Sequence, residues 1–138
     1  MTLVGILVNP DAGLGGRLGF KGSDGRAEEA RLAGAEDRAG PRMTKTLTRF
    51  FELGVKDTNF LTCDGRMGTT WLPVEFTDVV TIAGAEPSSA EDTQQAVSAM
   101  IDEGIDLLLY AGGDGTTRDI ISTLQELDCE ECNCSHIM

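Results

Sequence analysis

Residues 105–124 constrain the fold of this chain more than any other stretch. An apolar run from Ile105 to Ala111 stops at Gly112-Gly113. A single carboxylate, Asp114, then stands between glycines, ahead of Gly115, Thr116 and Thr117. An amphipathic pattern of Ile120, Ile121, Leu124 and Leu127 begins directly behind them. That order reads as strand, tight glycine turn and helix start. Such a turn aims backbone N–H groups and the positive end of a helix dipole at one point, where a phosphate binds. Asp114 is the odd member of this cradle. A carboxylate there repels an anion unless it holds a metal ion or takes a proton from a substrate hydroxyl. The plainer alternative is a turn aspartate that caps the following helix.

The remaining elements repeat the same grammar. Leu3 to Val8 is a buried-strand run ended by Asn9-Pro10, because proline removes a donor and restricts its neighbour. Residues 11–25 then hold six glycines, among them Gly13, Gly15 and Gly16, with Arg17 and Lys21 interspersed. A loop this long and this charged reads as a binding loop, with a flexible linker as the alternative. Residues 26–40 are charged and rich in alanine and glycine, either a short helix or irregular. Pro41 opens a clearer helix with Met43, Leu47, Phe50 and Phe51 on one face and Gly54 as terminator. Asn59 to Cys63 is a second strand, with a short helix around Met67 to Leu72 behind it. Val79 to Ala83 is a third strand. Ser88 and Glu91 have the spacing of a capping box for a helix burying Thr93, Val97, Met100 and Ile101. Strand four runs from Asp106 to Ala111. The alternation implies an α/β parallel sheet with helices on both faces. Ligands of such sheets bind at the carboxyl ends of the strands, where the loops after strands one and four both lie. Strand order, which decides whether those loops touch, does not follow from the sequence.

Composition narrows the function classes. The 138 residues make one domain, and no apolar run approaches a membrane span. Met1 to Val8 lacks a basic leader and a cleavage site, so it is read as a strand in a cytoplasmic protein. A formal charge of −12 excludes general binding to nucleic acid or to acidic membranes. The charge is uneven. Residues 1–49 hold eight Lys/Arg against six Asp/Glu, whereas residues 50–138 hold three against seventeen. A basic first half within an acidic protein fits a small anionic ligand; an acidic solvated surface is the alternative. Cys63 stands alone as a core thiol. Cys129, Cys132 and Cys134 crowd beside His136 as weak zinc candidates, but they form one knuckle where structural zinc usually takes two.

Gly112-Gly113-Asp114-Gly115-Thr116 resembles the GGDGT signature shared by NAD kinases, diacylglycerol kinases and sphingosine kinases. Val8 to Arg17, continuing through Lys21-Gly22-Ser23-Asp24-Gly25, is similar to the opening of the ATP-NAD kinase-like family of archaea and bacteria, including its acetoin-catabolism-associated members. Ala90-Glu91-Asp92-Thr93 also looks familial, and the resemblance spans about residues 3–124. It implies a phosphofructokinase-like, Rossmann-like domain of an enzyme that phosphorylates the 2′-hydroxyl of NAD. The donor would be ATP or polyphosphate, with a divalent metal such as magnesium. By the same resemblance, Gly112, Gly113, Gly115 and Thr116 approach phosphates and Asp114 faces the acceptor hydroxyl or its metal. Asn9 lies by the nucleotide. Gly13, Gly15 and Gly16 belong to the first loop, whose Arg17 and Lys21 are assigned to phosphates on charge alone. Neither loop is a Walker A motif, since Lys21 does not stand between a glycine and a Ser/Thr.

Two departures bound the expectation. NAD kinases carry a second, mainly β, C-terminal domain that completes the dinucleotide pocket and the oligomer contacts. Residues 1–127 therefore correspond to the N-terminal domain alone, and 128–138 read as an irregular Cys-rich tail. The isolated chain is expected to be inactive or nearly so, and a homo-oligomer is expected only of a full-length protein. The competing readings are a diacylglycerol-type lipid kinase domain, a non-catalytic nucleotide-binding module and a zinc-binding protein. The acidic charge and the Lys21-Gly22-Ser23-Asp24-Gly25 continuation disfavour the lipid kinase.

Overall fold

The computed structural model of the chain describes residues 1–14, 32, 34, 36–85 and 89–130. Within them, strands β1 (Thr2–Val8), β2 (Thr58–Cys63), β3 (Val79–Ile82) and β4 (Leu107–Ala111) form one parallel sheet in the order β3-β2-β1-β4. Helices α1 (Ala39–Glu52), α2 (Ala90–Asp102) and α3 (Asp114–Glu130) connect or follow the strands. This is the α/β architecture that the alternation of patterns implies.

Side-chain alternation along each strand sorts the core into two layers. From β1, Ile6 and Val8 pack with Met43 and Leu47 of α1 on one face; Phe60, Leu109 and Ala111 join them from β2 and β4. From the same strand, Leu7 points the other way, to Val97 and Met100 of α2 and Ile120 of α3, with Leu61, Cys63, Leu108 and Tyr110. Among the described residues, helices thus cover both faces, with α1 on one and α2 beside α3 on the other. Near-continuous apolar strands are what a two-sided burial demands.

Several local expectations are corrected. Helix α1 opens at Ala39, two residues before Pro41, which sits in the first turn where a missing N–H costs nothing. Phe51 is 53% exposed, because it lies about 80° around the helix from Met43 at 100° per residue. Ile121 is likewise 48% exposed, since its neighbour Ile120 takes the inward position. The stretch behind β2 is not one helix but two 3-10 turns, Gly65–Met67 and Thr69–Trp71. β3 stops at Ile82, and β4 starts at Leu107 because Asp106 turns its carboxylate onto the Leu3 N–H (2.8 Å). The capping box belongs to Ser89 and Asp92, one residue later than Ser88 and Glu91. The Ser89 Oγ accepts from the Asp92 N–H (3.3 Å), and Asp92 Oδ2 accepts from the Ser89 N–H (2.8 Å). The sequence contains the pattern twice in adjacent registers, and Ser88 lies outside the described residues.

Candidate functional site

The strand order brings the start of the first glycine loop, residues 9–14, beside the glycine turn after β4. β1 and β4 are neighbours, and β2 and β3 extend to the other side of β1. The chain leaves β1 towards α1 on one face of the sheet and leaves β4 into α3 on the other, so the two segments part at the carboxyl end of the β1/β4 pair. The ladder continues one step past the strands, where the Asn9 N–H donates to the Ala111 carbonyl (2.9 Å).

Asn9 fastens this junction with its side chain. Its Oδ1 accepts from the Asp11 N–H (3.2 Å), and its Nδ2 donates to Thr116 Oγ1 (2.8 Å) across 107 residues of sequence. The Asp11 contact is an Asx turn, which bends the chain without help from a longer loop. Thr116 is 2% exposed, so that bond is shielded from water. Gly112 makes room for it, because a Cβ there would collide with the Thr116 side chain. Gly13 holds a left-handed φ of +79°, and the Arg38 side chain runs nearby. Residues 9–14, the glycine turn and the entry to α1 therefore meet at one edge.

A cleft of about 420 Å³ lies along this edge, between α1 and the end of β4. Gly13, Arg38 and Arg42 line one part of it, and Ala111, Gly112 and Gly113 another. Asp114 is exposed as the first residue of α3, directly behind Gly113. Thr117 carries the turn into the helix, its N–H bonded to the Gly113 carbonyl (3.1 Å) and its Oγ1 beside the Tyr110 hydroxyl (2.9 Å). Gly115 and Thr116 occupy the first turn of α3, which starts directly behind the cleft-lining Gly112 and Gly113.

Of the residues singled out from the sequence, Asn9, Gly13, Gly112, Gly113, Asp114, Gly115 and Thr116 gather at this edge. Gly15, Gly16, Arg17 and Lys21 lie outside the described residues, as do Cys132, Cys134, His136 and the side chain of Cys129. Among the described residues, no three His, Cys, Asp or Glu side chains group as metal ligands. Cys63 is fully buried, and burial pushes its thiol up to about 11, so it is a core group and not a nucleophile.

Arg38 and Arg42 were not legible as site residues. They read as ordinary charge in a charged segment. A signal was nonetheless present: two arginines four apart at a helix start, with no acidic residue in the first turn. Cations at a helix N-terminus oppose its dipole, at about 0.3–1 kcal/mol each.

No helix among the described residues is long and apolar enough to cross a membrane. Comparison with curated proteins and with solved structures returns no match. The family model described as the ATP-NAD kinase N-terminal domain matches residues 4–129, so the chain belongs to that family.

Proposed function

We propose that this domain supplies the phosphate-handling half of a NAD kinase site, of the branch that includes acetoin-associated members. The reaction is transfer of a phosphoryl group from ATP or polyphosphate to the 2′-hydroxyl of NAD. The observation that carries this reading is the Asn9–Thr116 bond. It joins the start of the first loop to the glycine turn of the adjacent strand, with Asp114 exposed beside it. Amides of the Gly112-Gly113 turn and the α3 dipole would hold phosphate oxygens. Asp114 would accept the proton of the acceptor hydroxyl. The new bond forms between that oxygen and the terminal phosphorus. The bond to the leaving phosphate breaks, and its electron pair stays on the leaving oxygen.

Magnesium fits this donor set. It is commonly held by one or two carboxylates plus substrate phosphates, so the single carboxylate of Asp114 suffices beside a phosphate chain. When bound, the ion would neutralise charge on the transferring group. The family's C-terminal β domain would close the cleft and complete the dinucleotide pocket.

The test is NADP formation by a full-length protein carrying this domain, with diacylglycerol assayed beside NAD as acceptor. Asp114→Asn is expected to lower turnover by orders of magnitude with an unchanged melting temperature. Undiminished activity would make Asp114 a helix cap. Preference for the lipid would overturn the acceptor.

A further inference from the structure

We infer that Arg38 and Arg42 form an anchoring subsite for an oligophosphate chain, at the α1 side of the cleft and apart from the Gly112-Gly113 turn. This inference rests on the reading of the cleft as a phosphotransferase site.

Four observations converge on it. Both arginines line the 420 Å³ cleft together with Gly13, Gly112 and Gly113. Neither guanidinium has a carboxylate or hydrogen-bond partner among the described residues, although the chain has 23 acidic residues against 11 basic ones. Arginines in so acidic a protein ordinarily find carboxylates. Two left side by side at i and i+4 repel each other weakly, and an anion between or above them turns that repulsion into attraction. No side chain caps α1, whose N-cap is Arg38 itself, and Pro41 has no N–H to offer. The amides of Ala39 and Gly40 therefore remain as donors on the same turn. The stem of the Arg38 side chain also runs near Gly13 of the first loop, which places it on the cleft side of α1.

The chemistry of this set selects the ligand class. Guanidinium groups are planar forks that match phosphate oxygens in pairs. Two of them, with two amides, suit a run of phosphates better than one monoanion. The Gly112-Gly113 turn lies in the same cleft, so one chain of phosphates can contact both. A nucleoside triphosphate and inorganic polyphosphate share this chemistry.

Calorimetric titration of the full chain with inorganic tripolyphosphate, ATP and NAD tests the assignment. Trp71, the single tryptophan, packs on Gly40 and gives an independent fluorescence readout of the same turn. Arg38→Gln and Arg42→Gln are each expected to weaken tripolyphosphate binding about tenfold or more, the range for hydrogen bonds to charged groups. Lys45→Gln, the same charge change at an exposed α1 position that does not line the cleft, is expected to leave binding unchanged. ATP weakened in parallel identifies a nucleotide's phosphate chain as the occupant. Loss confined to tripolyphosphate identifies inorganic polyphosphate. Equal tripolyphosphate affinity in wild type and both arginine variants overturns the subsite and leaves the kinase reading intact. So does binding of ATP or NAD without tripolyphosphate. Binding of none of the three ligands overturns the reading of the cleft itself.

Discussion

Gly40→Ala should destabilise this protein, against the usual sign for such a change in a helix. Gly40 sits in the first turn of α1, and replacing a helical glycine by alanine ordinarily gains up to about 1 kcal/mol. Here the Trp71 ring lies directly on the Gly40 Cα, and a Cβ would overlap three of its carbons. The ring has little freedom to retreat. Its Nε1 donates to the Arg66 carbonyl (2.7 Å), and the Arg66 guanidinium stands 5.5 Å from the ring centroid while pairing with Asp37 (2.7 Å). Displacing the ring puts at risk a hydrogen bond of about 1 kcal/mol and a cation–π contact of about 0.5–1 kcal/mol. Keeping it in place means overpacking, at about 1–3 kcal/mol. Set against a propensity gain of up to about 1 kcal/mol, these costs leave a net loss of about 0.5–1 kcal/mol. With a urea m-value of about 1–3 kcal/mol per molar, the unfolding midpoint should fall by roughly 0.3–0.5 M at unchanged m. Circular dichroism reads this without relying on the tryptophan. In a Trp71→Leu background the same Gly40→Ala change should turn neutral or stabilising. A raised midpoint in the wild-type background, or an equal loss in both, would refute the packing argument.

Three further outcomes follow from single contacts. Thr116→Val keeps the shape of a buried side chain but deprives the Asn9 amide of its acceptor, so it should cost about 1 kcal/mol in urea unfolding and weaken phosphate binding as well. Ser89→Ala removes the N-cap of α2 and should cost about 1 kcal/mol; an unchanged midpoint would return the cap to the neighbouring register. Burial raises the Cys63 thiol from its ordinary 9.0 to about 11. The neutral thiol is therefore favoured by folding, and its contribution is complete below pH 9 and lost as pH rises towards 11. Iodoacetamide at pH 8, followed by peptide mapping, should leave Cys63 unlabelled until urea unfolds the chain.

The sequence disclosed the fold to the extent that local pattern dictates it. Alternating apolar faces, glycine stops and the run before Gly112 identify each strand and helix, because burial on two sides leaves a continuous signature. Strand order stayed hidden. It depends on contacts such as the Asp106 carboxylate on the Leu3 N–H, 103 residues away, which no local window contains. Asn9 and Thr116 were legible as separate candidates for the same reason that their mutual bond was not. The capping register was ambiguous because Ser88-Ser89 faces Glu91-Asp92 and both spacings satisfy the rule. Arg38 and Arg42 look generic in the sequence, as charge in a charged segment. They differ from their neighbours only through the cleft they line and the absence of carboxylate partners among the described residues.

Two glycines among the described residues act at the candidate site by permitting close approach, which separates them from glycines that only turn the chain. At the carboxyl edge of the sheet, Gly40 lies under Trp71 and Gly112 beside Thr116. Each contact joins two segments that together shape the cleft, so enlarging either should disturb stability and ligand affinity together. Gly104 offers the contrast. It ends α2 at a φ of +84°, and a Cβ there would meet nothing within 4 Å. Gly104→Ala should therefore cost about 1 kcal/mol through backbone strain alone. Its affinity for tripolyphosphate should match that of the unmodified chain once both are measured in the fully folded range. Gly112→Ala should lose both stability and affinity, because the Thr116 side chain must move away from Asn9. Equal affinities for Gly112→Ala and Gly104→Ala would separate the Asn9–Thr116 junction from the binding site and leave it a purely structural tie.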